Sequence, residues 1–141
     1  MKTIISICIA LFFTFVCACE RVEENYLSEN VEYAAAQYDL LIEKLEKNGK
    51  PWAPRTVDTK GNIVYARNVW DWTSGFFAGS LWYLYNLTGD EKWKTLAKKY
   101  TEALKQQQYI TSHHDIGFII GCSYLNGMRM GQEAYDTIIV Q

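Results

Sequence analysis

The 141-residue chain has little excess charge of either sign: 14 Lys and Arg stand against 16 Asp and Glu, a formal net charge of −2. That balance gives no electrostatic footprint for nucleic acid or an anionic membrane surface. Of four cysteines only Cys122 lies beyond residue 19, so the folded part has no disulfide framework and this thiol reads as a small buried hydrophobe. Nowhere do the nine glycines form the spacing that cradles a phosphate or a dinucleotide, which removes nucleotide chemistry and its cofactors. Strand-like alternation of useful length is missing too, leaving an all-α domain of antiparallel helical hairpins. What is abundant is aromatic: Phe, Trp and Tyr make up 15% of the chain within a hydrophobic content of 49%. That is enough to build one globular core, and it argues against disorder, a collagen-like repeat or a multi-span membrane protein.

The N-terminus has its own pattern. Met1 and Lys2 precede an apolar run from Thr3 to Val16, and Ala18 stands before Cys19. A basic start, a short apolar stretch and a small residue at the cleavage point predict a signal peptide over residues 1–18. Val16-Cys17-Ala18-Cys19 also fits a bacterial lipobox, so Cys19 is expected to carry lipid and residues 19–32, acidic and polar, to tether that lipid to a domain over 33–141. The apolar run is shorter than the ~20 residues of a membrane-spanning helix. The expected setting is the cell envelope, periplasm-facing or at the outer membrane, with membrane contact through the lipid alone; secretion is the alternative.

Beyond the tether, Ala34, Tyr38, Leu41, Ile42 and Leu45 recur at helical spacing, and Asn48-Gly49 ends that run. Residues 49–70, with Pro51, Pro54, Gly61 and Asn62, read as a long surface loop with a turn at Lys60-Gly61-Asn62. A second helix is predicted from Thr73 to Leu87, capped by Thr73 or Ser74 and stopped by Gly89. Thr88-Gly89-Asp90-Glu91 has the form of a capping box opening a third helix with a buried stripe of Trp93, Leu96, Ala97, Tyr100 and Leu104. A fourth apolar stretch spans Ile116 to Met128, and a fifth run beginning at Gln132 is still helical in pattern at Gln141.

Two clusters break this helical background, each where a loop turns into a helix. Trp70-Asp71-Trp72-Thr73 sets a carboxylate between two indoles. An aromatic plate beside a carboxylate acceptor suits a sugar ring, which has apolar C–H faces and an equatorial belt of hydroxyls. The plainer alternative is that Asp71 caps the helix and the indoles fill a core. His113-His114-Asp115 is the second cluster. Three consecutive residues cannot all face one ion, so a zinc site is not expected. Asp115 can serve as acid, base or hydroxyl acceptor, or cap a helix beside a surface His pair. Ser74, Ser112 and Cys122 have no base and orienting acid arranged around them, which argues against covalent catalysis.

Read in order, three segments resemble glycoside hydrolase family 88, the unsaturated glucuronyl hydrolases. Asp71-Trp72-Thr73-Ser74-Gly75-Phe76-Phe77-Ala78-Gly79-Ser80-Leu81-Trp82 is similar to that family's DWTxGFWxGxLW segment, with Phe77 where the family often has Trp. Tyr85-Asn86-Leu87-Thr88-Gly89-Asp90-Glu91 resembles its YExTGDE turn, and His113-His114-Asp115-Ile116-Gly117-Phe118 its HHDIGF segment. The resemblance implies an (α/α)6 barrel, of which about the first five helices fall in this chain. It also implies removal of a 4,5-unsaturated glucuronic acid from the non-reducing end of lyase-generated oligosaccharides, by hydration of the double bond and with no cofactor. By position it makes Asp115 a catalytic-site aspartate and His114 its active-site neighbour. Trp72 becomes an aromatic wall of the sugar pocket, Asp71 a further substrate-side residue, and Gly75 and Gly79 helix-setting positions. The family's principal acid/base aspartate lies on a later helix, beyond Gln141, so the chain is expected to be a fragment, inactive and poorly stable alone. Two other readings stay open: an unsaturated rhamnogalacturonyl hydrolase, and a non-catalytic sugar-binding lipoprotein using Trp70, Trp72 and Asp71.

Overall fold

A computed structural model describes residues 2–49, 52–66, 71–112 and 114–139, with side chains described from residue 25 onward. The backbone divides into two units, residues 1–42 and 43–141. The first is helical: α1 runs from Lys2 to Asn48, its last turn belonging to the second unit. Residues 20–32, expected as a tether, are therefore helical as well. Cys19 and the signal segment lie outside the residues whose side chains are described. Among the described residues, no helix is long and apolar enough to cross a membrane.

The second unit contains the one feature of its kind that the sequence reading left out. Pro54–Val57 (β1) and Ile63–Tyr65 (β2) form a two-stranded antiparallel ribbon inside the predicted loop. Four and three residues are too few for an alternating pattern to emerge, so the ribbon is held by its turn instead. There the Asp58 carboxylate accepts the N–H groups of Lys60 and Asn62, both at 2.8 Å, and the Asn62 amide at 2.9 Å. These bonds hold its carboxyl below the ordinary value, and Gly61 takes the left-handed conformation (φ 79°) that closes the turn. The register pairs Pro54 with Tyr65 and Thr56 with Val64, leaving Arg55 as an extra residue at a bulge.

Helix α2 spans Ser74–Thr88 and α3 spans Glu91–Glu102. Between them Gly89 (φ 67°) ends α2 in a left-handed cap. The cap of α3 is not Thr88 but Asp90, whose carboxylate accepts the Lys92 N–H at 2.9 Å. Thr88 spans the corner instead, its hydroxyl donating to the Leu84 carbonyl at 2.6 Å and accepting the Asp90 N–H at 3.2 Å. The pair is antiparallel: Phe77 meets Tyr100 edge to face with centroids 4.7 Å apart, and Tyr85 donates to Glu91 at 3.2 Å. Trp82, wholly buried, donates its indole N–H to the equally buried Thr101 hydroxyl at 3.0 Å. Of the predicted α3 stripe, Trp93, Ala97, Tyr100 and Leu104 are buried and Leu96 is half-buried.

After a 3-10 turn at Lys105–Tyr109, the chain rises through α4 (Ile116–Ile120), a π turn (Gly121–Leu125) and α5 (Asn126–Arg129) as one rod, then through a second 3-10 turn into α6 (Asp136–Ile139). The core gathers Leu45, Leu81, Trp82, Trp93, Ile119 and Tyr124. The all-α class predicted from periodicity is what the unit shows, with the short ribbon as its β element.

Candidate active site

Two glycines decide where the motif clusters end up. A Cβ on Gly75 would stand 2.3 Å from the Ile119 carbonyl oxygen, and one on Gly79 would stand 2.6 Å from that of Cys122. One turn along α2 therefore matches one turn along the α4 rod, so the two helices run parallel at backbone contact and both begin at the same end. Any side chain at either glycine would meet backbone rather than a movable group. The helix-setting role expected for Gly75 and Gly79 is thus a close-approach seam. It brings the Asp71-Trp72-Thr73 segment and the start of the α4 rod to one end of the pair, with the Trp72 ring 5.8 Å from Phe118, although the whole of α2 and α3 separates them in sequence.

At that shared end an apolar wall forms from both segments. The Trp72 ring lies 5.6 Å from Phe76 and 5.8 Å from Phe118, and the two phenyl rings are 6.3 Å apart. All three are exposed, Trp72 at 43%. A cluster of exposed aromatic rings on a packed domain suits a ligand with apolar faces better than it suits core filling. Phe76 and Phe118 were not singled out in the sequence because helical periodicity assigns them to a core; only the parallel helix pair reveals that they face outward with Trp72.

The two carboxylates of the site differ. Asp71, 12% exposed, is engaged on both oxygens. Oδ1 accepts the Thr73 N–H at 3.2 Å and its hydroxyl at 2.6 Å, while Oδ2 lies 3.3 Å from Nε of Arg55. Its carbonyl accepts the Ser74 N–H at 3.0 Å, so it shapes the turn that leads into α2. Thr73 precedes the helix without a side-chain cap bond of its own. Asp115, with a side chain 31% exposed, lies 3.2 Å from Nε2 of His114, whose ring is 92% exposed. Its carbonyl accepts the Phe118 N–H at 2.9 Å, tying the acid to the aromatic wall. With one partner almost fully exposed, this pair contributes little to stability. Trp70 and His113 lie outside the described residues. Among the described residues, no group of three His, Cys, Asp or Glu side chains is placed to hold a metal ion.

Deeper in the seam, Ser74 donates to the buried Gln107 side chain at 3.4 Å and Ser123 to the Ile119 carbonyl at 2.6 Å. Cys122, expected to be buried, is half-buried at the seam, because it meets Gly79 chiefly through its backbone rather than its side chain; partial burial raises its thiol above the ordinary value.

Comparison with known proteins adds a family. The model of glycosyl hydrolase family 76 matches residues 17–141. The chain belongs to glycosyl hydrolase family 76. The motifs had pointed to family 88, so what the two lines share is the coarser statement of a glycosyl hydrolase. The curated relatives bear the name that the motifs suggested. An unsaturated glucuronyl hydrolase of Formosa agariphila is 28% identical over a 151-residue alignment covering 100% of this chain and 37% of that protein. One of Bacillus sp. strain GL1 is 36% identical over 74 residues, 50% of this chain and 19% of the relative. An unsaturated chondroitin disaccharide hydrolase of Streptococcus agalactiae is 33% identical over 67 residues, covering 45% and 17%. Among solved structures, an unsaturated glucuronyl hydrolase specific for heparin superposes with a TM-score of 0.59 at 42% identity, covering 62% of this chain and 24% of that one. The fold of this family member is accordingly of the (α/α)-barrel class. The chain spans little more than a third of the length of the first of these curated relatives, and less of the others.

Proposed function

We propose that this glycosyl hydrolase acts on oligosaccharides ending in a 4,5-unsaturated glucuronic acid, and that the chain supplies one wall of the pocket for that sugar. The observation that carries this reading is the parallel seam of α2 and the α4 rod, which sets Trp72, Phe76 and Phe118 around the end where Asp115 lies. The flattened apolar face of the unsaturated ring suits the exposed aromatic rings, and Asp115 with His114 serves the hydroxyls and the reacting carbons. The reaction is hydration: a carboxylic acid gives a proton to C4, water adds to C5, and the resulting hemiketal opens and releases the remaining sugar. Asp115 is the catalytic-site carboxylate in this reading, Trp72 and His114 bind substrate, and Asp71 organises the turn beneath them.

The test is the protein as its gene encodes it, given an unsaturated glucuronyl disaccharide and followed by loss of the double bond's ultraviolet absorbance. Asp115→Asn should lower kcat about 100-fold or more and leave the helical spectrum unchanged. Full activity in that variant would remove Asp115 from the site. Faster turnover of an unsaturated rhamnogalacturonyl disaccharide would favour that neighbouring activity, and saturable sugar binding without turnover would favour a binding role. The N-terminal segment is proposed to direct export and Cys19 to carry the lipid. Metabolic labelling with a radioactive fatty acid should mark the protein and fail to mark Cys19→Ala.

A further inference from the structure

The ribbon that the sequence reading left out contains a residue no motif pointed to. Arg55 is the extra residue at the bulge between Pro54 and Thr56. A bulge turns one side chain out of the alternation of its strand, and here the guanidinium is turned onto Asp71, with Nε 3.3 Å from Oδ2. Oδ1 of the same carboxylate holds both the N–H and the hydroxyl of Thr73. Trp72 is the residue between the two ends of that clamp. Its ring is not buried and meets Phe76 and Phe118 edge to face. A half-exposed indole has many rotamers and backbone settings open to it, so its placement depends on the backbone at residues 71–73 being held.

We propose that Arg55 is a positioning residue of the sugar pocket, fixing the Asp71–Thr73 turn through Asp71 and thereby the placement of Trp72 at the mouth. This rests on the function proposed above, since it gives Arg55 its role in that same pocket. Arg55 acts through Asp71 and not on the substrate, because its charge is directed to a carboxylate that is itself 12% exposed and already committed to the turn. The guanidinium matters for its geometry: it reaches the carboxylate from a backbone fixed by the ribbon, whereas a lysine ammonium on a flexible stem reaches it less often in the same pose.

The test uses the gene-encoded protein and an unsaturated glucuronyl disaccharide, with Arg55→Gln, Arg55→Lys, Asp71→Asn and the Arg55→Gln/Asp71→Asn double variant. Loss of a partly exposed ion pair should raise KM about fivefold in Arg55→Gln. A change in kcat of less than about twofold would mark the loss as one of substrate placement. Arg55→Lys should recover part of the KM. The double variant should be no worse than the poorer single one, because both substitutions break the same clamp. Unchanged KM in Arg55→Gln would overturn the proposal. So would losses that multiply in the double variant, since Arg55 would then act independently of Asp71. A wild-type protein without turnover of any unsaturated uronide would sink the proposed function instead. Near-ultraviolet circular dichroism of the aromatic cluster would then decide the role of Arg55 alone: a spectrum altered in Arg55→Gln and partly restored in Arg55→Lys supports the clamp, and an unaltered one overturns it.

Discussion

Two tryptophans on either side of one helix show how α2 divides its work. Trp82, at its middle, is wholly buried with its indole N–H bonded to Thr101; Trp72, just before its N-terminus, is 43% exposed and meets other rings edge to face. Both belong to a stretch whose apolar residues recur at helical spacing, and composition cannot tell them apart. The difference lies in what closes over each. α3, α5 and Tyr135 cover Trp82, whereas the end of the helix pair opens at Trp72. A core aromatic contributes through area removed from water and a satisfied polar atom; a rim aromatic keeps its faces free for a ligand.

That contrast can be broken in graded steps. The largest effect should come from Trp82→Ala, which empties a fully buried site and strands the Thr101 hydroxyl; we expect a loss of about 3–5 kcal/mol in chemical denaturation. Gly75→Ala should follow at about 1–3 kcal/mol, because the new methyl meets the backbone of Ile119 and drives the helices apart. That variant should also separate Trp72 from Phe118 and change the near-ultraviolet spectrum, linking the buried seam to the open end. Alkaline pH reaches the buried tyrosines of the core. Burial raises the hydroxyls of Tyr100, Tyr124 and Tyr135 above their ordinary value, with the carboxylate of Glu102 adding to the effect at Tyr124 and Tyr135 and that of Glu46 at Tyr100. The folded state then retains protons that the unfolded chain gives up, so stability is full below about pH 10 and falls as pH rises beyond it. A melting temperature that holds steady through that range would contradict the burial of these hydroxyls. Smallest of all should be Trp72→Ala, within about 0.5 kcal/mol in stability because its ring is exposed. Its effect is expected on sugar affinity, measured by titration calorimetry.

Much of the helical frame was readable before any coordinates. Gly89 announced the α2–α3 corner through its left-handed cap, and the Trp93, Ala97, Tyr100 and Leu104 stripe marked the buried face of α3. The cap of α3 lies two residues beyond Thr88, because Thr88 and Asp90 are both good caps: the Thr88 hydroxyl takes the Asp90 N–H and the Asp90 carboxylate the Lys92 N–H, and only the backbone shows which of the two opens the helix. The ribbon escaped notice for a different reason, since strands of four and three residues hold no period to detect. For the candidate site, residue types in two segments pointed to Asp71, Trp72, His114 and Asp115, but the meeting of the two segments depends on helix direction, which the glycine seam determines and no local pattern records. Arg55 was beyond reach altogether, as its aim comes from a bulge.

The π turn at Gly121–Leu125 has a consequence for how one rod serves two neighbours. A π turn takes in one residue more than an α-helical turn would, so side chains beyond it are rotated by roughly a third of a revolution from the course of an unbroken α-helix. Before the turn the rod offers Phe118 to the open mouth; within it, Tyr124 swings inward against Tyr135, their centroids 4.8 Å apart. A single inserted residue acts here as an angular gear, letting one rod change the direction it faces midway, and deleting that residue would turn the distal half away from the core it now fills.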